Sequence, residues 1–563
     1  VYRLYVEAAP RLAILALTVA VLGGLGGIAA PAFGWLPALG GTTLALTPWR
    51  ELWAVPGLAQ MVGVSLLAGL LSAGLALAVV LAFVAAFHRT RAFAWVERSL
   101  SPILSIPHAA AAIGFAFLVA PSGLIARLAS PGLTGWERPP DLLIVGDPWG
   151  LAMIAALVVK EVAFLLLMTL AVLPQTGMRE GLPVARMLGY RPVAAFAKVM
   201  LPRLYPLIRL PLYAVVAYAS STVEVALILG PSTPPPLAVA ILRWMNDPDL
   251  QTRFMASAAA LLQVGVTFTA LALWRLGEAA TARAARAWLT GGGRGACDRA
   301  VAAVGAGGIA FTLAAAGGGL TALALWSVAG FWRFPDALPG AWSTRAWAML
   351  ADAPELVTNA AVVGLAATLA AVLLVVGALE QETRRGRPAG RAARLVLYLP
   401  LLVPAVAFLF GLVLLAERAG LAPGLALVVA GHLVFVLPYV YLALAEAYRR
   451  LDPRWSAVAR ALGASPGRAF LTVRLPMLSR AVLTAAAVGF AVSIGQYLPT
   501  QLLGAGRVAT ITTEAVALAA GGDRRLAAAY GLAQSVLPFA GFWLAYGVPR
   551  VVFRHRRGMG TGP

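Results

Sequence analysis

Apolar runs long enough to cross a bilayer follow one another from end to end of this 563-residue chain. A helix needs about 20 residues to cross about 30 Å of hydrocarbon. Lipid offers no partner to a backbone N–H or C=O, so such runs must be helices or the strands of a closed barrel. They lack the period-two alternation of barrel strands. The expectation is twelve helices at Leu12–Ala30, Met61–Phe87, Ile103–Ala120, Trp149–Leu173, Leu210–Leu229, Met255–Leu273, Val301–Leu325, Leu356–Leu379, Leu395–Leu415, Leu425–Ala445, Ala481–Leu503 and Ala527–Val548. The residues are 61% hydrophobic and 12% charged, whereas a soluble domain is about 45–50% apolar. An all-α integral membrane protein is therefore expected, and soluble-enzyme, disordered and disulfide-rich secreted classes are excluded.

The net charge of +21 is a topology signal, because no soluble stretch is long enough to present a basic face to nucleic acid. Basic residues in short connections stay in the cytoplasm. Most Lys and Arg fall on one side if both termini are cytoplasmic, with the runs Arg384, Arg385, Arg387, Arg391, Arg394 and Arg550, Arg554, Arg556, Arg557 supplying much of the bias. These read as topology and lipid-headgroup charges. The first run is longer than the roughly 7–15 residues of a signal-peptide core and is read as a retained span. Cys297 is a lone cysteine, and His88, His108, His432 and His555 do not cluster as metal ligands would.

A duplication organises the chain. A shift of 274 aligns Val184–Leu204 with Val458–Leu478 without a gap, and 12 of the 21 positions are identical, among them Arg186/Arg460, Leu188/Leu462, Gly189/Gly463, Pro192/Pro466, Phe196/Phe470 and Pro202/Pro476. The same shift puts Leu229–Gly230 on Leu503–Gly504 and Asp249 on Asp523, while a shift of 297 puts Pro107 on Pro404 and Gly114 on Gly411. Each half then has six spans. An even number returns the chain to its starting side, so the halves are parallel repeats about an axis along the membrane normal, with a solute path between them. The expected organisation is a first half over residues 1–275, a cytoplasmic linker over 276–300 containing Gly291, Gly292, Gly293 and Gly295, and a second half over 301–563.

The best-preserved part of the duplication is a cytoplasmic loop between the fourth and fifth spans of each half. In the first copy a helix-forming stretch ends at Gly189, Pro192 suits the first turn of a second helix, and Leu201–Pro202 leads into the membrane. Such an amphipathic helix can enter a partner's groove, or it can lie on the membrane surface.

These residues resemble the "E-A-A, three residues, G, nine residues, I, any, L-P" pattern of permease subunits in binding-protein-dependent ABC importers. Val184, Ala185, Gly189, Val199, Leu201 and Pro202 match it in the first half, and Val458, Ala459, Gly463, Val473, Leu475 and Pro476 in the second. The glutamate of the pattern is Pro183 in one copy and Ala457 in the other. Over essentially its whole length the chain looks like the fused two-half permeases of the iron, thiamine, polyamine and sulfate group. Val223–Pro236 and Thr510–Arg525 are most similar to a thiamine-related or functionally unassigned branch. The resemblance implies two copies of an ABC ATPase docking on the loops, an external solute-binding protein, and a multi-pass location in a bacterial cytoplasmic (inner) membrane. Members of that group carry chemically unlike solutes, so it implies no particular cargo.

The chain has no G-x-x-x-x-G-K-[ST] phosphate loop, so ATP and Mg²⁺ are expected on the partner ATPase and no cofactor on this chain. Gly305–Gly308 suits close helix packing instead. Charged groups inside spans cost about 2.5–3.5 kcal/mol each on insertion scales. Lys160 and Glu161 are read as an intramembrane charge pair that either fixes packing or lines the path. Ser220, Ser221, Glu224, Ser493, Gln496, Tyr497 and Thr500 are candidates for the path, which the family places along the fifth span of each half, or for helix packing. Outside, Trp244, Asn246, Asp247, Asp249 and Gly521, Gly522, Asp523 are candidate contacts for the binding protein. The rival class is an ion-coupled secondary transporter with six plus six spans, for which only Lys160, Glu161 and Glu224 offer coupling groups. A membrane enzyme would need a cluster of acids, histidines or a nucleophile at one face, which this sequence does not show.

Overall fold

The computed structural model describes residues 2–552; Arg554, His555, Arg556 and Arg557 lie outside the described residues. Ten helices are long and apolar enough to cross a membrane, and two bent pairs bring the number to twelve. The first six are Tyr2–Ala32, Leu58–Phe87, His108–Ala129, Leu151–Thr176, Pro192–Ser221 and Thr252–Thr290. The second six are Asp298–Ser327, Pro354–Arg385, the pair Arg391–Leu402 and Ala405–Arg418, Leu425–Arg450, the pair Pro466–Met477 and Ser479–Ile494, and Arg524–Val552.

Several spans expected to be straight are broken, and the breaks are paired across the duplication. The third span is helix over Arg91–Ser105, extended at Ile106 (φ −73°, ψ 121°), then helix again over His108–Val119. The ninth breaks at Val403 (φ −96°, ψ 133°), where its two helices meet at 96°. Pro107 and Pro404 explain both: proline has no N–H to donate and forces the preceding residue out of the helical region. The fifth span ends at Ser221 and restarts at Glu224 through an extended Thr222, and the eleventh ends at Ile494 and restarts at Leu498.

The sixth span runs on to Thr290, well beyond the expected Leu273. Residues 276–290 are mostly Ala, Arg, Leu and Glu, all strong helix formers. Of the stretch expected to be linker, only Gly291–Cys297 is non-helical before the seventh span opens at Asp298.

The first span of each half packs on the opposite half. Tyr2–Thr18 lies along Pro354–Arg385, and Asp298–Ser327 lies along Leu58–Phe87 and His108–Val119. The duplicated glycines Gly114 and Gly411 make these crossings possible. A Cβ on Gly114 would stand 2.8 Å from the Gly319 carbonyl oxygen, and one on Gly411 would run into the Gly24 carbonyl. Small residues let helix backbones approach where no hydrophobic force drives them together.

Candidate functional site

The two duplicated loops fold alike. In the first, helix Met178–Met187 closes with Gly189 N–H donating to the Arg186 carbonyl (2.9 Å) and Tyr190 N–H to the Ala185 carbonyl (3.2 Å). In the second, helix Arg454–Ala461 closes with Gly463 N–H on Arg460 (3.0 Å) and Ala464 N–H on Ala459 (3.0 Å). This is the Schellman pattern, which needs a left-handed residue. Gly189 has φ +84° and Gly463 φ +88°.

A short second helix follows, Pro192–Ala195 or Pro466–Ala469, and then one wide π turn, Phe196–Met200 or Phe470–Arg474. Pro202 and Pro476 account for that turn, since neither has an N–H for the carbonyl four residues back. Val199 fastens the first loop to itself, its Cγ1 lying 3.2 Å from where a Cβ on Gly181 would stand.

The motif positions thus divide in two. Gly189, Val199, Leu201, Pro202 and their counterparts Gly463, Val473, Leu475, Pro476 shape the loop. Ala185 is buried and Ala459 partly so. Val184 and Leu188, four apart on one helical face, are 58% and 62% exposed, and Val458 and Leu462 are 55% and 83% exposed. Each loop therefore presents an exposed apolar pair, extended by Met187 in one copy and Trp455 in the other. Exposed arginines flank both, Arg186 and Arg191 in the first and Arg454, Arg460 and Arg468 in the second.

The polar span residues fall into separate groups. Lys160 Nζ donates to the Ile103 and Ile106 carbonyls (3.0 and 2.6 Å), capping the helix end that Pro107 leaves open. Glu161, 4% exposed, faces the His108 ring, with Nε2 and a carboxylate oxygen 4.0 Å apart. The two neighbours thus serve different contacts. Glu224 accepts from the Tyr218 hydroxyl (2.8 Å), and the Tyr218 ring lies 4.9 Å from that of His108.

Ser220 donates to the Ala217 carbonyl (2.9 Å) and meets the Thr267 hydroxyl (3.1 Å), while Ser221 also bonds Ala217 (2.9 Å). Ser493 and Thr500 both bond His432, at 2.7 and 2.8 Å. The Thr267 and His432 contacts tie spans together within a half, whereas the bonds to Ala217 stay within one helix. Gln496 and Tyr497 lie at the break of the eleventh span, where Gly495 approaches Pro107 of the first half. The His432 clamp was missed from sequence, since a histidine without polar neighbours in the chain gives no local sign of its partners.

On the opposite face, Asn246, Asp247, Asp249, Gly521, Gly522 and Asp523 are exposed and Trp244 is partly buried. Asp249 and Asp523 accept from the N–H groups two residues on (2.9 and 3.0 Å) as the sixth and twelfth spans begin.

Up to twelve candidate spans among the described residues, in two interlocked halves that carry paired loops of one fold, fit the membrane component of a transporter. Residues 365–552 match the family model described as binding-protein-dependent transport system inner membrane component. The inner membrane ABC transporter permease protein YnjC of Escherichia coli (strain K12) is 32% identical over 524 residues, 92% of this chain and 93% of that protein. The molybdenum transport system permease protein ModB of Mycobacterium tuberculosis is 34% identical over 145 residues, 23% of this chain and 54% of that one. A spermidine/putrescine transport system permease protein PotC homolog of Mycoplasma genitalium is 32% identical over 87 residues, 16% of this chain and 30% of that one. The chain belongs to the family of ABC transporter inner membrane permeases.

Proposed function

We propose that this chain is a two-half permease of an ABC importer, with both termini cytoplasmic and its halves over 1–275 and 301–563. It carries no ATPase site of its own. Two copies of a partner ATPase, holding ATP and Mg²⁺, dock one on each loop, and an external binding protein delivers the solute to the face bearing Trp244, Asn246, Asp247, Asp249 and Gly521–Asp523. The observation that carries this reading is the doubled apolar pair, Val184 with Leu188 and Val458 with Leu462, exposed at equivalent points of two loops of equal fold. Exposed apolar surface of this kind marks an interaction site, and its repetition fits two copies of one partner.

Closure of the ATPase dimer on ATP would draw the loops together and rock the halves, and hydrolysis would release them. A ligand moves such an equilibrium only if it binds the two states unequally. The path would run between the halves past Glu224, Gln496 and Tyr497, with Ser220, Ser221, Ser493 and Thr500 behind it. Leu188→Asp combined with Leu462→Asp tests the docking assignment without touching the glycine turns or the buried side. The chain would be co-expressed with its candidate P-loop ATPase and solute-binding protein. Co-purified ATPase should fall at least tenfold while the chain's elution profile is unchanged; undiminished ATPase and transport in the double variant would overturn the reading.

A further inference from the structure

We propose that Gln263 is a positioning residue of the translocation path: its side-chain amide, inserted into the backbone ladder of the fifth span, makes the break that brings Glu224 to Tyr218. Gln534 acts in the same way on the eleventh span, through Thr512. The inference rests on the importer reading above and assigns the device that shapes the path.

A sharp break in a helix comes from proline, from glycine or serine pairs, from a wide turn, or from a side chain that enters the ladder of backbone bonds. The third and ninth spans have their prolines. The fifth has none where it breaks, for no proline or glycine lies between Pro211 and Gly230. Ser220 and Ser221 both donate to the Ala217 carbonyl (2.9 Å each), which bends a helix without ending it. The end comes at the Ser220 carbonyl. In a continuous helix that oxygen would accept from the Glu224 N–H, four residues on. Here it accepts from Gln263 Nε2 (3.1 Å), and Thr267, one turn further along the sixth span, meets the Ser220 hydroxyl (3.1 Å).

The second half repeats the arrangement with one relay. The helix Ser479–Ile494 ends with the Ile494 carbonyl accepting from the Thr512 hydroxyl (2.5 Å), which in turn accepts from Gln534 Nε2 (2.9 Å). Both glutamines stand about three turns into the last span of their half. The eleventh span has backbone causes as well, since Gly495 lies in its break and Pro499 has no N–H for the Gly495 carbonyl.

Two observations separate positioning from packing. Tyr218 donates to Glu224 (2.8 Å), yet residues six apart on an unbroken helix lie about 120° apart around the axis and about 9 Å along it. The interruption is what brings them together. Gln263 and Gln534 are both 0% exposed, and neither amide oxygen has a partner among the described residues. A buried unpartnered acceptor is destabilising. Packing alone would be served better by leucine, so the donor end is what each site uses.

The test starts with the full chain in lipid nanodiscs, read by amide exchange. Gln263→Leu removes the donor and returns the Ser220 carbonyl to the Glu224 N–H. Exchange over residues 222–226 should slow at least tenfold, with no fall in melting temperature. Gln534→Leu should slow exchange over residues 495–498 less than threefold, because Gly495 and Pro499 remain. Thr512→Ser, which keeps the relay hydroxyl, should match the unaltered chain, and Thr512→Val should match Gln534→Leu. Unchanged or faster exchange over 222–226 in Gln263→Leu, or a lower melting temperature with exchange raised along both spans, would overturn the proposal. Gln263→Met, similar in length and without the donor, serves if the leucine variant does not fold.

The complex with its ATPase gives the functional readout, with ATP as the probe. A straightened fifth span would oppose the rocking that ATP turnover requires, so Gln263→Leu should lower kcat at least fivefold and leave KM for ATP within twofold and ATPase co-purification unchanged. Unaltered kcat would overturn the positioning role. Failure of the unaltered chain to capture ATPase would instead refute the importer reading, whatever the exchange data show.

Discussion

The two duplicated loops have the same outer face and different undersides. The first is held by the polypeptide that joins the halves. Lys198 Nζ donates to the Gly291 carbonyl (2.5 Å) and lies over the Trp288 and Tyr190 rings (4.9 and 5.2 Å). Arg191 N–H donates to the Arg294 carbonyl (3.0 Å), and Val193 N–H to Asp298 (3.0 Å), where the seventh span opens.

The second loop is seated on the first span. Tyr2 packs on Phe470 (5.5 Å) and donates to Glu380 (2.7 Å), which also accepts from Tyr448 (2.6 Å). Arg474 stands where the first copy has Met200, 3.4 Å from the Glu380 carboxylate and 4.8 Å from the Tyr448 ring centroid. Both loops are thus tied to the opening residues of the opposite half's first span, one strapped by the linker through backbone bonds, Lys198 and the partly exposed Asp298, the other seated on a buried ion pair. Duplication preserved the features that shape the exposed face, while the buried anchors drifted.

The largest expected effect breaks the ionic seat. Arg474 and Glu380 are both 5% exposed, and removing one partner of a buried pair costs about 3–5 kcal/mol because the other charge stays buried. Arg474→Ala should therefore lower the thermal stability of the full chain in nanodiscs far more than Arg460→Ala on the exposed face of the same loop. Arg474→Met with Glu380→Gln, which imitates the Met200 side, should recover most of the loss. A single variant no worse than Arg460→Ala would show that the second loop does not depend on its ion pair.

A smaller effect is expected at the turns. Alanine in the left-handed region costs about 1–2 kcal/mol, so Gly189→Ala and Gly463→Ala should each speed amide exchange of their own loop by roughly 5–30-fold. They should differ beyond the loop. A Cβ on Gly189 would stand 3.2 Å from the Arg294 guanidinium, whereas nothing lies within 4 Å of one on Gly463. Exchange over residues 291–297 should rise only in Gly189→Ala; an unchanged linker would show that it does not rest on that turn.

Much of this was legible in the sequence because membrane insertion and duplication both write simple patterns. Twelve apolar runs gave twelve spans, and the spacing of Gly189 to Leu201–Pro202, repeated at Gly463 to Leu475–Pro476, located both loops. The breaks were legible in principle: Pro107 and Pro404 were paired as markers of alignment, yet a proline within an apolar run also interrupts a helix. Lys160 was harder, since its partners are backbone carbonyls that exist only because the third span is broken. The seats of the two loops could not be read at all. Glu380, Tyr448 and Tyr2 come together only because the first span crosses to the other half, and no local pattern records a crossing.

The smallest effect isolates the strap. Lys198 and Thr472 occupy equivalent positions, but the Thr472 hydroxyl bonds only the Arg468 carbonyl of its own helix (2.7 Å). Cation–aromatic contacts at exposed sites contribute about 0.5–1 kcal/mol. Lys198→Ala should therefore raise the rate of tryptic cleavage after Arg294 by about two- to fivefold, while Thr472→Ala, a surface change expected to stay within about 0.5 kcal/mol, should leave it unchanged. Cleavage unaltered by Lys198→Ala would assign the strap to Asp298, whose bond from Val193 N–H (3.0 Å) and ion pair with Arg191 (3.9 Å) are further side-chain ties between the first loop and the start of the seventh span. Asp298→Ala in that background would then have to release the linker, or the linker contributes nothing to holding the loop.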